Sequence, residues 1–167
     1  MQSKYQLFLR KYLSRTLKEG LEIHKIAALQ SASTLLSTGP EGEHQLLAMI
    51  VNKLGDPGKK TSASAGHQLR IILQKHPNMQ EVIAREVQQL AHRSHLSARA
   101  VYNCVVFLNQ LKLEKSDEPS DTKSDNLATS LIKTYFRLFE VAVNDKDRGR
   151  KDTEEKGMNS RLLSALL

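Results

Sequence analysis

His92 and His95, three residues apart, with Cys104 nine residues further on, bring imidazole and thiol side chains together in the sequence. On a helix the two histidines would share one side, as a metal-binding pair must. A structural zinc site wants four ligands, and no second cysteine or nearby histidine completes this set, so no metal is expected. The plainer reading is two polar residues at a helix end near Ser94, where imidazole meets unpaired carbonyls. Cys104 lies among Val101, Val105 and Leu108, an apolar face suited to an inert buried thiol rather than an activated nucleophile. His24, His44, His67 and His76 are scattered singly.

Other chemistry is equally thin. Glu81 with Glu86, and Glu154 with Glu155, fall in polar surroundings where solvated carboxylates are the default. Gly55-Asp56-Pro57-Gly58-Lys59-Lys60-Thr61 looks superficially like a phosphate loop, but it lacks the spacing to an upstream glycine and follows no strand. Catalysis, a cofactor and a small-molecule substrate are therefore not expected. What remains is a distributed basic set. Lys11, Arg15, Lys18, Lys59, Lys60, Arg70, Lys75, Arg93 and Arg99 are the candidate contacts to RNA phosphates or to a protein partner. Solvated helix faces account for the same residues equally well.

The charge behind that set is uneven. The 167 residues carry 25 Lys plus Arg against 18 Asp plus Glu, a net charge of +7. Residues 1–60 hold nine basic and five acidic groups, 61–112 six and two, and 113–167 ten and eleven. A polyanionic neighbour is thus plausible for the first two thirds. A single cysteine excludes an internal disulfide framework and suits a reducing compartment such as the nucleus. No run of about 18 apolar residues is present, so no membrane span is expected, and the N-terminus lacks the apolar stretch of a secretory signal.

The elements that must carry these side chains read as helices. Tyr5, Phe8, Leu9, Tyr12, Leu13 and Leu17 recur at three and four residues and predict one apolar face, with Gly20 as a left-handed stop. A second helix carries Leu21, Ala28, Ala32, Leu35 and Leu36. Pro40 suits the first position of a third, which buries Leu46, Leu47, Ile50, Val51 and Leu54. Asp56-Pro57 reads as cap and first residue of a fourth, through Ala65, Leu69, Ile72 and Leu73. Pro77 opens a fifth, with Ile83, Val87, Leu90 and Ala91 inward, and Ser97 caps a sixth. Polar stretches at 114–125 and 145–157 predict mobile loops around a seventh helix, 126–144, anchored by Tyr135, Phe136 and Phe139. Residues 158–167 predict a partial eighth helix lacking its partner. Its Leu162, Leu163, Leu166 and Leu167 do not resemble a polar cap, so this end is expected to be sticky or poorly packed.

Helical pairs therefore fall at about 4–37, 41–75 and 78–113, starting 37 residues apart each time. That period sits beside the roughly 40 residues of two-helix solenoids. The expected fold is all-α: one HEAT/armadillo-like helical-hairpin solenoid segment over 1–167, with seven to eight helices. A plain helical bundle gives the same antiparallel neighbours; the constant period and the Asp-Pro turn favour the solenoid.

Five segments in order resemble the CCAAT-binding-factor/Noc family. They are Val51-Asn52-Lys53-Leu54-Gly55-Asp56-Pro57, Lys75-His76-Pro77-Asn78-Met79, Phe107-Leu108-Asn109-Gln110, Leu131-Ile132-Lys133-Thr134-Tyr135-Phe136, and Met158 with Ser160 through Leu167. The resemblance covers about residues 45–167 and implies a non-catalytic α-solenoid of the nucleus and nucleolus. Such proteins act in ribosome biogenesis: large-subunit precursor assembly, pre-rRNA processing and export. It further implies a second nucleolar complex protein and other pre-ribosomal assembly factors as partners, with pre-rRNA as a further contact. A direct nucleic-acid-binding role in transcription, from which the family takes its other name, is the alternative. Family members are several times longer, so this chain is expected to be a fragment or truncated member.

Overall fold

The computed structural model describes residues 2–39, 41–113, 122–147 and 153–167. Their regular structure is all helical, and no strand occurs among them. The first rod runs as α1 (Gln2–Phe8), a π-helical turn (Leu9–Leu13) and α2 (Ser14–Glu19). The π turn, closed by Ser14 N–H on the Leu9 carbonyl, adds a residue to one turn and moves the apolar seam. Leu9, Leu13 and Leu17, four apart, are buried, whereas Phe8 and Tyr12 stack on the outside with ring centroids 6.1 Å apart. The inner face expected for Phe8 and Tyr12 is therefore corrected. Gly20 ends the rod in extended rather than left-handed backbone.

The next helix, α3 (Glu22–Thr38), turns Ala28, Leu29, Ala32, Ser33 and Leu36 inward. Leu21 and Leu35 do not join that core: Leu21 is exposed and Leu35 half-buried. Ser31, Thr34, Ser37 and Thr38 each donate to the carbonyl four residues back, which satisfies the hydroxyls of a helix rich in them. Gly42, at φ 76°, leads into α4 (Glu43–Asn52), and a Cβ there would lie 2.9 Å from Leu9 Cδ1. Pro40 lies outside the described residues. A 3-10 turn (Lys53–Gly55) follows, then α5 (Lys59–Lys75). The small residues Ala28 and Ala32 of α3, with Ala65 of α5 (all buried), suit the close approach of these two helices.

A second 3-10 turn, Pro77–Met79, opens α6 (Gln80–Ala91). The Ser97 hydroxyl accepts from Ala100 N–H at 3.3 Å and caps α7 (Ala98–Leu108), as the sequence indicates. The last two helices are α8 (Thr122–Asp147) and α9 (Thr153–Leu166). Residues 122–125, read as loop from sequence, form the first turn of α8. Residues 145–147 and 153–157 are helical too, while 114–121 and 148–152 lie outside the described residues. The chain divides into two compact units, Met1–Glu86 and Val87–Leu167.

The first unit closes on Leu29, Leu46, Ile50, Leu54, Leu69, Ile72 and Ile83; the second buries Val87, Leu90, Cys104, Val105 and Leu108. Within the second unit α9 packs on α7 and α8, so the helix expected to lack a partner has two. Asn109 Nδ2 donates to the Ala165 carbonyl at 2.8 Å, and Leu162 is buried. α8 is anchored by Leu127, Leu131, Thr134, Leu138 and Ala142, not by its aromatics: Phe136 is 68% exposed. Positions 135, 136 and 139 share an arc of about 100°, but that arc is offset from the buried stripe, and Phe136 stands about 160° from the stripe's middle.

Candidate functional site

The most tightly built polar centre sits where the 3-10 turn meets α5. Asp56 occupies a side chain only 3% exposed, and Lys53 Nζ lies 2.8 Å from its Oδ2. Lys25 Nζ, delivered by α3, approaches the same oxygen at 3.4 Å. Gly58 N–H donates to Oδ1 at 3.0 Å. Burial alone would raise the Asp56 pKa, but the Lys53 hydrogen bond, the Gly58 N–H and the two ammonium charges outweigh it and hold the carboxyl below its ordinary 3.8. Asp56 thus does not cap α5 as the sequence suggests; Gly58 occupies the cap position and Asp56 locks the turn ahead of it. A Cβ on Gly58 would lie 3.1 Å from Asp56 Oδ1 and 3.0 Å from Glu22 Oε1, so the turn closes over a residue without a side chain.

The other family-motif residues divide between the core, the turns and the surface. Leu54 is buried, Gly55 ends the 3-10 turn, and Pro57 follows, exposed. Asn52 ends α4. His76 Nε2 lies 3.1 Å from the Ser37 carbonyl, to which its N–H donates, and so joins the end of α5 to the end of α3. Pro77 and Asn78 form the 3-10 turn that starts α6. Phe107 and Leu108 are buried, Asn109 holds α9, and Gln110 is exposed. These residues build turns rather than a chemical centre.

The basic candidates lie outside. Lys11, Lys18, Lys59, Lys60, Arg70, Lys75 and Arg93 are exposed, and Arg99 is half-buried. Arg15 pairs with Glu19 at 3.1 Å on the open surface. Along α5, Lys59 and Arg70 lie within about 20° of each other, but Lys75 is about 160° away, so the set wraps the helix instead of forming a stripe.

A better-gathered site lies in the second unit and has no counterpart in the sequence reading. His92, Thr129, Ser130, Lys133, Thr134 and Arg137 line an open cleft of about 330 Å³. The α8 members are spaced at three and four residues and so share one face. The Ser130 hydroxyl donates to Gln88 Oε1 at 3.0 Å, bracing the α8 wall against α6. Burial, then the positive charge of Arg137, lowers the His92 pKa below its ordinary 6.5. The spacing Lys133–Arg137 was visible in sequence, but on a helix it is indistinguishable from an ordinary solvated face.

Cys104 is fully buried, and burial pushes its thiol up to about 12 against the opposing charge of Arg93. His95 is exposed and His92 half-buried. Among the described residues no three His, Cys, Asp or Glu side chains gather where they could hold a metal ion. No helix among them is long and apolar enough to cross a membrane.

No protein-family model matches the chain. Individual relatives do. It is 42% identical to human CCAAT/enhancer-binding protein zeta over 86% of this chain and 12% of the relative. It is 34% identical to Nucleolar complex protein 1 of Drosophila melanogaster over all of this chain and 13% of that protein. It is 32% identical to Ribosome biogenesis protein NOC1 of Chaetomium thermophilum over 71% of this chain and 11% of the relative. The chain thus spans about an eighth of the length of such relatives. With the matched region containing the Asp56 turn and the helices it joins, the chain belongs to the CCAAT-binding-factor/Noc family.

Proposed function

We propose that this chain is a non-catalytic scaffold segment acting in nucleolar ribosome biogenesis, where it holds protein partners and pre-rRNA during large-subunit precursor assembly. In this reading its helical hairpins stack as a HEAT-like array from 1 to 167. The observation that carries the proposal is the division of labour among the residues. Family-motif residues build turns and core, with Asp56 clamped by Lys53 and Lys25 and with Leu54, Phe107 and Leu108 buried, while lysines and arginines populate the exposed helix faces. Packing of α3 on α5 in the first unit supports the stacked arrangement. The names of the Drosophila and Chaetomium relatives, a nucleolar complex protein and a ribosome biogenesis protein, support the location and the process. The partners in this proposal are a second nucleolar complex protein and other pre-ribosomal assembly factors.

Affinity capture from nucleolar extract, using the chain as bait, tests this. Recovery of large-subunit assembly factors together with precursor RNA is expected; recovery of neither overturns it. The name of the human relative favours a second reading, a nucleic-acid-binding module in transcription. Titration of a labelled CCAAT duplex at two salt concentrations separates the two. Sequence preference persisting at high salt supports the second, and weak binding that collapses with salt supports the first.

A further inference from the structure

We propose that the α8 cleft and the aromatic ring beside it form a binding site for single-stranded RNA, in which Lys133 and Arg137 hold a phosphodiester and Phe136 stacks a base. This rests on the RNA limb of the scaffold reading and assigns it to residues. Three observations support it.

The cleft is cationic and rich in hydroxyls. Lys133 and Arg137 stand one turn apart, about 6 Å along the axis, on the face that also carries Thr129, Ser130 and Thr134. Neither cation pairs with a carboxylate among the described residues, and Glu140, the next acid along α8, forms no ion pair with Arg137. Among the described residues the site therefore offers two positive charges without a carboxylate partner.

Next, Phe136 lies between the two cations in sequence and is 68% exposed, and Ile132, one turn before it, is 54% exposed. Burying Phe136 against a ligand would remove apolar area from water, and every nucleobase offers a flat face for that purpose. A phosphorylated peptide would use the cations but has no general need of the ring. That combination favours RNA over a phosphopeptide.

Finally, the wall is fixed from behind. Thr134 is buried, and the Ser130 hydroxyl is spent on Gln88, so the α8 face is held while the ends of the lysine and arginine side chains remain exposed. A positioned helix face with mobile charged tips suits sequence-tolerant backbone contact.

The test uses the whole chain and a short fluorescein-labelled polyuridine RNA, read by anisotropy across a salt series. The double variant K133Q/R137Q is expected to bind about tenfold more weakly, with the slope of log affinity against log salt flatter by about 1.4. F136A is expected to bind about tenfold more weakly with its slope unchanged, because stacking releases no counterions. All three side chains are exposed, so circular dichroism should match wild type. K59Q/K60Q, in the first unit, separates the possible failures. If that pair weakens binding while K133Q/R137Q and F136A do not, the cleft assignment falls and the RNA reading stands. If wild type does not bind polyuridine at low salt, both fall. Tighter, Lys133- and Arg137-dependent binding of a phosphoserine peptide would overturn the RNA assignment in favour of a protein ligand.

Discussion

Asp56 keeps its charge in a nearly dry place because two ammonium groups and one amide hydrogen meet it there. Removing the carboxylate while leaving Lys53 and Lys25 strands two cations whose side chains are only 15% and 18% exposed. Asp56→Ala is therefore expected to cost about 3 kcal/mol, measured by urea unfolding at neutral pH. The pH dependence has a definite sign. Asp56 has a folded pKa below its ordinary 3.8, so its ionised form stabilises the fold fully above that value. That contribution disappears as pH falls through 3.8 to the folded value. Asp56→Asn keeps an acceptor for Gly58 N–H but removes the charge. The stability gap between wild type and Asp56→Asn should thus be largest at neutral pH and close in acid; a gap that stays constant would contradict the clamp. Sequence could locate the turn, since Asp-Pro-Gly is strong turn chemistry, but it could not pair Lys25 with a residue thirty-one positions away.

At the scale of the element, periodicity identified most helices, and packing decided which side went in. The inward residues of α4 and α6 match their sequence pattern: Leu46, Leu47, Ile50 and Val51 are buried, as are Ile83, Val87, Leu90 and Ala91. The first rod departs from its pattern because the π turn shifts the seam, and no composition signal marks that turn. α8 departs for another reason: its largest apolar side chains are not its best-placed ones. Leu131 is 3% exposed and Phe136 68%. Leu131→Ala is expected to lose about 2–5 kcal/mol, whereas Phe136→Ala should stay within about 0.5 kcal/mol of wild type. Thermal melts of the two variants check this, and a large loss for Phe136→Ala would restore the aromatic anchor read from sequence. The cleft on α8 was illegible for a related reason. Its two cations look like solvent-facing residues until α6 and the turn after it bring up His92 and Gln88.

For the molecule as a whole, two features oppose each other in solution. The net charge of +7 repels copies of the chain, while apolar side chains standing in water favour association: Ile23 is 75% exposed, Leu21 73% and Phe136 68%. At low ionic strength the repulsion reaches far, about 30 Å at 0.01 M salt, and shrinks to about 3 Å at 1 M. Raising salt should therefore move the chain from monomer toward self-association in sedimentation velocity, because hydrophobic contact survives screening and charge repulsion does not. RNA binding should move the other way over the same range, since it draws on those charges. Ile23→Glu combined with Phe136→Glu is expected to abolish the salt-induced association. If association were instead strongest at low salt, the contacts between copies would be electrostatic rather than apolar, and Ile23→Glu with Phe136→Glu would leave them in place.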